Sequence, residues 1–248
     1  MKPVLLVTGA SRGIGAATAV LAAQQGWRVA VNYSTNRAAA DSVVQQITQA
    51  GGEALAIQAD VGDEAQVLAM FQRIDSHWGQ LDGLVNNAGV VDMPARVDEM
   101  TVARLERMFR LNIIASFVCA REAVRRMSTR HGHRGGVIVN LSSAASRIGG
   151  SGQYVDYAAS KGAIDTLTKG LALEVAGEGI RVNQVSPGII DTEIHASGGN
   201  PGRAQAVGPS LPLKRPGSAQ EVAQAILWLL SPASSYTTGT NIDVTGGR

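Results

Sequence analysis

The chain has 248 residues, and 22 Lys and Arg against 20 Asp and Glu give a formal net charge of +2. A composition with 45% hydrophobic and 17% charged residues is typical of a globular domain with a sizeable core and argues against disorder. The balanced charge gives no reason to expect nucleic acid or an anionic membrane as a partner. A single cysteine, Cys119, excludes an intrachain disulfide.

The apolar runs of the sequence are short. The longest strongly apolar run covers residues 113–120, which is too few to span a bilayer as a helix. The first apolar run is broken at Thr8 and Gly9, too early for a signal-peptide core. We therefore expect a cytoplasmic protein without a membrane span.

Apolar runs of strand length alternate along the chain with longer segments of helical period. Strands are predicted over residues 4–7, 28–32, 54–58, 81–86, 136–141, 180–186 and 240–244. Helices are predicted over residues 14–25, 101–127, 154–176 and 219–230, with two more that Thr35 and Asp63 cap and that run to Ala50 and about His77. This alternation predicts an α/β fold of a single domain over residues 1–248, a doubly wound parallel sheet of the Rossmann type.

One segment does not fit the alternation. Residues 187–218 hold five of the eight prolines and several glycines, and they carry no clear period. A connection of that length is usually a functional lid or a disordered segment. We expect it to form a lid over the substrate.

A glycine-rich turn follows the first predicted strand and opens the first predicted helix. Glycines in such a turn permit close approach of the backbone to a pyrophosphate, and the helix N-terminus offers free N–H groups to the anion. The alternative is a plain turn between strand and helix. We expect a dinucleotide to be bound here by Gly9, Ser11, Arg12, Gly13, Ile14 and Gly15.

The end of the second strand indicates which dinucleotide is bound. An acidic residue there would bind the ribose 2′-hydroxyl of NAD, but no Asp or Glu occurs from Ala16 to Ala40. Arg12 can reach a 2′-phosphate with its forked donors, and Arg37 is a second candidate. The pattern favours NADP over NAD. Further hydrogen bonds are expected from the strand end, at Asn32, Tyr33 and Ser34.

Tyr157 and Lys161 lie four residues apart in the predicted helix 154–176, so they share one helix face. A tyrosine has an ordinary pKa of about 10, and a nearby ammonium favours the phenolate and lowers that pKa. This spacing therefore predicts an acid–base pair.

Five motifs occur in order, each beyond the carboxyl end of a predicted strand or on the helix that follows. They are Thr8-Gly-x-x-x-Gly13-x-Gly15, Asn86-Asn87-Ala88-Gly89, Ser142-Ser143, Tyr157-x-x-x-Lys161 and Pro187-Gly188. Ligands of open α/β sheets bind at that edge. Together the motifs resemble the short-chain dehydrogenase/reductase family, in its shorter single-domain branch, over essentially the whole chain.

The resemblance implies the catalytic roles. Tyr157 would be the general acid for carbonyl reduction, and Lys161 would lower the pKa of that tyrosine and hold the nicotinamide ribose. Ser143 would hydrogen-bond the substrate oxygen, with Ser142 as the alternative. Asn112 resembles the helix asparagine that supports a water next to the lysine.

The resemblance also implies three further groups of cofactor contacts. The adenine would lie against Asp60 and Val61, and the adenosine ribose beside Asn87, Ala88 and Gly89. The loop that orients the nicotinamide would use Pro187, Gly188, Ile190 and Thr192. The four histidines have no metal-ligand spacing, so we expect no metal site.

Taken together, the sequence predicts an oxidoreductase that moves hydride between NADP(H) and a carbonyl or secondary alcohol of a small molecule. The resemblance is to 3-oxoacyl-carrier-protein reductases, with a sugar or small-polyol dehydrogenase as the alternative, and it implies a homotetramer. A non-catalytic NADP-binding sensor or scaffold would not need the serine, tyrosine and lysine together. An epimerase or dehydratase of the longer branch would usually carry an added substrate domain, for which 248 residues are too few.

The physiological substrate and the direction of flux are not encoded in these motifs. The predicted lid is small and polar, which argues against steroids and long acyl chains. A stripe of arginines could dock an acidic carrier protein or pair with acidic neighbours, and Glu178 argues against the carrier. The stripe consists of Arg121, Arg125, Arg126, Arg130 and Arg134.

Overall fold

The computed structural model, which describes residues 2–248, contains one parallel sheet of seven strands. The strands are β1 Val4–Val7, β2 Arg28–Tyr33, β3 Glu53–Gln58, β4 Gly83–Asn86, β5 Gly136–Leu141, β6 Ile180–Pro187 and β7 Asn241–Val244. Their order is β3-β2-β1-β4-β5-β6-β7, and every neighbouring pair is parallel. The predicted doubly wound sheet is confirmed.

Helices cover both faces of this sheet. They are α1 Gly13–Gln24, α2 Arg37–Gln49, α3 Glu64–Trp78, α4 Val102–Phe109, α5 Ala115–Met127, α6 Ala145–Ile148, α7 Val155–Val175, α8 Ile194–Ser197, α9 Arg203–Val207 and α10 Ala219–Leu230. Helices α1, α2 and α10 pack on one face, and α3, α5 and α7 on the other.

Burial on both faces explains why the central strands read as unbroken apolar runs. In β1, Val4 and Leu6 face the α3–α5–α7 side, whereas Leu5 and Val7 face the α1–α2–α10 side. All four side chains are fully buried. Among residues 2–248, no helix has the length and apolarity that a bilayer crossing requires.

The helix predicted over residues 101–127 is interrupted. Thr101 caps α4 as an N-cap, but a wider π-helical turn, Arg110–Ile114, separates α4 from α5. A π-turn inserts one residue into an otherwise helical run, and a hydrophobic period read over many residues does not register it. The prediction of one regular helix was therefore wrong at this turn.

Other boundaries differ by small amounts. Helix α2 is capped by Asn36, whose side chain accepts a hydrogen bond from the Ala39 N–H, so the prediction of Thr35 as the cap was wrong. Both residue types cap helices, and asparagine does so more strongly. Asp63 caps α3, as predicted, and Ser218 caps α10. Short helices α8 and α9 lie within the segment predicted to be irregular, and α6 was not predicted.

Candidate active site

A cleft of about 590 Å³ opens at the carboxyl edge of the sheet. The order of the strands reverses there between β1 and β4, which is where open α/β sheets bind ligands. Ser143, Tyr157 and Lys161 all line this cleft. A larger open groove of about 1160 Å³ lies between α1, the lid and the start of α10, but it contains none of the three. The smaller cleft is therefore the candidate active site.

Tyr157 lies in the first turn of α7 and lines the same cleft as Ser143. Burial raises the pKa of the Tyr157 hydroxyl, and the nearby Ser143 side chain opposes that rise. The pKa of this phenol thus lies above its ordinary value, contrary to the lowering predicted from Lys161. The phenol is thus neutral near pH 7, which is the state that can donate a proton.

Lys161 is buried one helical turn further along α7. Its Nζ donates a hydrogen bond to the Leu141 carbonyl at 2.8 Å and lies 5.6 Å from the centroid of the Tyr157 ring. Burial lowers the pKa of Lys161 to about 8, and the negative charge of Asp165 opposes the shift. The ammonium is therefore still charged at pH 7 and close to the phenol.

The two serines after β5 have different partners. Ser143 reaches Tyr157, and its Oγ also accepts a hydrogen bond from the Ala145 N–H at 3.1 Å. Ser142 donates instead to Asp165 Oδ1 at 2.5 Å. This geometry favours Ser143 over Ser142 as the contact to a substrate oxygen.

Asn112 lies in the π-turn and is buried. Its Oδ1 accepts from the Val90 N–H at 2.8 Å, and its Nδ2 donates to the Val90 carbonyl at 2.9 Å and to Ser160 Oγ at 3.1 Å. The side chain thus connects the segment after β4 to α7 beside Lys161. Its support of a water molecule stays a prediction.

The glycine-rich turn adopts a backbone that requires glycine. Gly9 and Gly13 have φ of +61° and +54°, in the left-handed region. A Cβ on Gly15 would stand 2.5 Å from Asn87 Nδ2, which itself donates to the Thr8 carbonyl at 2.8 Å. The turn is therefore tight and is held from β4 by Asn87.

The side chain of Asn32 contacts the glycine-rich turn. It is buried: Oδ1 accepts from the Gly9 N–H at 3.1 Å, and Nδ2 donates to the Ala59 carbonyl at 3.1 Å. Both ends of the amide are bonded within the protein, so the side chain holds the glycine-rich turn, and a contact of Asn32 with the 2′-phosphate stays a prediction. Tyr33 is also buried, whereas Ser34 is exposed.

The two arginines predicted to recognise the phosphate differ in their surroundings. Arg37 pairs with Asp41 at 3.2 Å on the surface of α2. Arg12 is exposed, precedes α1 and donates to Ser197 Oγ in the lid at 3.3 Å. Within residues 2–248 Arg12 pairs with no carboxylate, so it is better placed than Arg37 to contact a 2′-phosphate.

The cleft brings together one part of the predicted cofactor set and leaves the other part outside. The members that line it, besides Tyr157 and Lys161, are Ile14, Asn87, Gly89, Pro187, Gly188, Ile190 and Thr192. The predicted adenine contacts lie outside it after β3, where Asp60 Oδ1 accepts from the Gly62 N–H at 2.9 Å. The binding of a cofactor by these residues stays a prediction.

Sequence reasoning missed a buried ion pair that fixes the start of α7. Arg104 on α4 donates to both carboxylate oxygens of Asp156, at 2.7 and 3.2 Å, and the Asp156 side chain is fully buried. Asp156 Oδ1 also accepts from the Tyr157 N–H at 2.9 Å. The sequence offers one signal for this pair: Asp156 is an acidic residue in the first turn of a helix, a position where the helix dipole favours negative charge. Nothing in the sequence identifies Arg104 as its partner.

The arginine stripe pairs with acidic neighbours. Glu122 is buried and accepts from Arg121, Arg125 and Arg126, which hold its pKa below the usual range against the opposing effect of burial. Arg130 faces Glu178 at 3.9 Å. Arg134 lies 3.7 Å from Asp82 and completes the pairing. In residues 2–248 no group of three or more His, Cys, Asp and Glu side chains could hold a metal ion.

The chain is similar to known proteins over nearly its whole length. A family model described as Enoyl-(Acyl carrier protein) reductase matches residues 9–248. The uncharacterized oxidoreductase YgfF of Escherichia coli is 58% identical over 245 residues, covering 99% of each chain. The 3-oxoacyl-[acyl-carrier-protein] reductase FabG of Staphylococcus aureus is 37% identical over 98% of this chain and 96% of that protein. Versicolorin reductase stcU of Emericella nidulans is 38% identical over 98% and 94%.

Solved structures show the same fold. A short-chain dehydrogenase/reductase from Serratia marcescens superposes with a TM-score of 0.90 at 35% identity and covers 99% of this chain and 97% of that one. A dehydrogenase/reductase from Sinorhizobium meliloti gives a TM-score of 0.91 at 35% identity, with 99% and 94% covered.

Proposed function

The chain is an oxidoreductase of the short-chain dehydrogenase/reductase family, and we propose that it reduces the carbonyl group of a small molecule with NADPH. One observation carries the proposal: Ser143, Tyr157 and Lys161 line one cleft that the glycine-rich turn borders, and the Lys161 Nζ lies 5.6 Å from the centroid of the Tyr157 ring. Proton donation to an alkoxide needs such a neutral, positioned acid.

The glycine-rich turn fits the pyrophosphate of a dinucleotide. Arg12, the N-cap of α1, makes no side-chain capping bond, and the first turn of α1 has no acidic residue. The N–H groups there lack a side-chain partner, and the helix dipole favours an anion at that end. When bound, NADPH would supply the hydride.

The protein side chains would do the rest of the chemistry. Ser143 would hold the carbonyl oxygen as negative charge builds on it, and Tyr157 would give that oxygen its proton. Lys161 would stabilise the phenolate left behind and bind the ribose hydroxyls. Asn112 would hold the segment after β4 against α7, so that these groups keep their places.

The preference for NADPH rests on charge. No acidic residue lies between Ala16 and Ala40 to repel a 2′-phosphate, and Arg12 presents its guanidinium at the start of α1. The exposed Ser34 offers a further hydroxyl at the end of β2.

We propose a free small molecule as the substrate rather than a carrier-bound acyl chain. The arginine stripe that favoured a carrier is occupied by Glu64, Asp75, Asp82, Glu122 and Glu178. A sugar or small-polyol dehydrogenase has no specific observation in its favour.

A homotetramer fits the exposed apolar side chains of the long helices. Ile114 and Phe117 are exposed beside and on α5, and Leu173 on α7. The family often assembles through these two helices. Light scattering on the purified protein tests this, and a monomer would contradict it.

The function is tested with purified protein: NADPH and NADH are supplied with diketones and 3-oxo esters, and the oxidised cofactors NADP and NAD are supplied with simple sugars. We expect oxidation of NADPH with the diketones and oxo esters. If the protein binds NADPH but does not oxidise it with any of the carbonyl compounds, the result would favour the non-catalytic sensor. Oxidation of sugars with NADP, without carbonyl reduction, would favour the sugar dehydrogenase.

A further inference from the structure

Arg203 differs from most arginines of this chain in what it contacts. Eleven arginines form ion pairs with aspartate or glutamate. Arg203 lines the active-site cleft, is only partly exposed, and pairs with no carboxylate in the part of the chain that the structure describes. A guanidinium that lines a cleft and has no carboxylate partner is available to bind an anionic group of a ligand.

Two contacts fix the position of this guanidinium. Its Nη1 donates to Gln153 Oε1 at 3.1 Å, and its central carbon lies 5.2 Å from the centroid of the Tyr154 ring. Tyr154 directly precedes α7, three residues before Tyr157. The lid helix α9 therefore holds Arg203 over the segment that carries the proposed proton donor, with most of its N–H donors unused.

The charges around Arg203 favour an anion. The cationic side chains that line the cleft are Lys161, Arg203 and Arg248, and no aspartate or glutamate side chain of residues 2–248 lines it. His195 also lines the cleft; burial and, to a lesser extent, the positive charge of Arg203 lower its pKa, while the bond to Ile190 and the negative charge of Asp191 oppose this. The His195 Nε2 is bonded to the Ile190 carbonyl at 2.9 Å.

We propose that Arg203 binds a carboxylate of the substrate, so that the substrate class is an oxo acid, or the hydroxy acid in the reverse direction. This rests on the proposed carbonyl reduction and names the substrate of the same cleft. A guanidinium presents parallel N–H donors that match the two oxygens of a carboxylate. Apolar side chains at Val91, Ile148, Ile194 and Val207 would surround the carbon chain between the two polar ends.

The test compares acids and esters that share one carbon skeleton. Purified protein is assayed with NADPH on 3-oxobutanoate, 4-oxopentanoate and 5-oxohexanoate, each against its methyl ester. A charge-assisted contact predicts that at least one acid is favoured over its ester by about tenfold or more in kcat/KM. In Arg203→Gln the ratio of kcat/KM for the acid to kcat/KM for its ester falls toward one, mainly through a higher KM for the acid.

Matched variants separate recognition from folding. Arg215→Gln changes another lid arginine, which pairs with Glu221 outside the cleft, and it keeps the ratio of the unmodified protein. Arg203→Lys retains the positive charge but loses the parallel N–H donors of the guanidinium, so we expect an intermediate ratio of acid to ester. This variant provides the test if Arg203→Gln does not fold.

Each outcome decides the inference. Equal reduction of acids and esters by the unmodified protein, or an unchanged ratio in a folded Arg203→Gln, overturns it while leaving carbonyl reduction in place. Absence of reduction with every oxo compound, the diketones included, overturns the proposed function itself and this inference with it.

Discussion

Two regions meet at the cleft and are built differently. The first, which we term the platform, consists of the ends of β4, β5 and β6 together with α7. Its polar groups are buried and mostly bonded: Asn86 donates to Asn140 at 2.9 Å, Asn140 donates to Thr168 at 2.9 Å, and Gln184 donates to Asp165 at 2.7 Å, while Gln184 Oε1 has no hydrogen-bond partner within residues 2–248. A largely satisfied buried network of this kind permits few alternative arrangements.

The second region is the lid, which lies after β6 within residues 187–218. Its small core is limited to Ile189, Ala204 and Leu211, with Val207 against them. Its side-chain hydrogen bonds to the glycine-rich turn and to the segment before α7 are single and exposed: Arg12 donates to Ser197, and Arg203 donates to Gln153. Segments with few buried contacts open at low cost, so we expect the platform to hold the reacting groups and the lid to adapt to the substrate.

The largest effect on the platform is expected at Lys161. Lys161→Ala should lower kcat/KM by about 10³-fold and weaken NADPH binding, because one ammonium serves both the phenol and the ribose. Lys161→Arg should not restore the rate, since the guanidinium fork does not fit the site of a compact ammonium. Fluorescence titration of NADPH checks the binding; unchanged affinity in Lys161→Ala would refute the ribose role.

The pKa of Lys161 adds a pH dependence to the same prediction. Burial lowers that pKa to about 8, so the ammonium is present below pH 8 and is lost as the pH rises through it. Carbonyl reduction should decline over that range in the unmodified protein. A decline of the same size and midpoint in Lys161→Ala would assign it to another group.

The two serines after β5 provide a matched pair. Ser143→Ala should reduce kcat by about 10²-fold or more, as loss of an oxyanion donor does elsewhere. Ser142→Ala removes the hydrogen bond to Asp165 and the 3.2 Å contact with the Lys161 carbonyl, and it should cost about 1 kcal/mol of stability with kcat within a few-fold. Steady-state kinetics on both variants decides between them, and the reverse order of effects would make Ser142 the catalytic serine.

The ion pair between Arg104 and Asp156 at the start of α7 tests whether the stability of the platform depends on this contact. Asp156→Ala leaves the mostly buried Arg104 without its carboxylate partner and should lower the free energy of unfolding by about 3–5 kcal/mol. Replacing both residues by apolar ones should cost less than either single change. The exposed pair Arg37–Asp41 is the control, and Asp41→Ala should change stability by less than about 1 kcal/mol in urea titrations. Similar losses of unfolding free energy in Asp156→Ala and Asp41→Ala would contradict the distinction between the buried and the exposed ion pair.

The smallest effect is expected where the glycine-rich turn meets the lid. Arg12→Ala should reduce the preference for NADPH over NADH in kcat/KM by about tenfold, because one charge-assisted contact to the 2′-phosphate is lost. Arg37→Ala is the matched control and should leave the preference unchanged. Higher kcat/KM with NADH than with NADPH in the unmodified protein would show that the missing acidic residue was misinterpreted.

The sequence predicts the parts of the fold and site that depend on local patterns. The strand runs, the glycine-rich turn and the spacing of Tyr157 and Lys161 are visible because period and spacing act over a few residues. The π-turn around Asn112 could not be predicted, since one inserted residue leaves the apolar pattern intact. The burial of Asn32 and its bond to Gly9 also depend on a tertiary contact, made between the end of β2 and the turn.

The central claim is that Tyr157 donates the proton, and Tyr157→Phe tests it most directly, because the change removes the hydroxyl and keeps the ring. The measurement is kcat for a diketone with NADPH, taken together with the dissociation constant of NADPH from the same preparation. We predict a fall in kcat of about 10²-fold or more with the dissociation constant within about threefold of that of the unmodified protein. A kcat near that of the unmodified protein would contradict the assignment of Tyr157 as the acid.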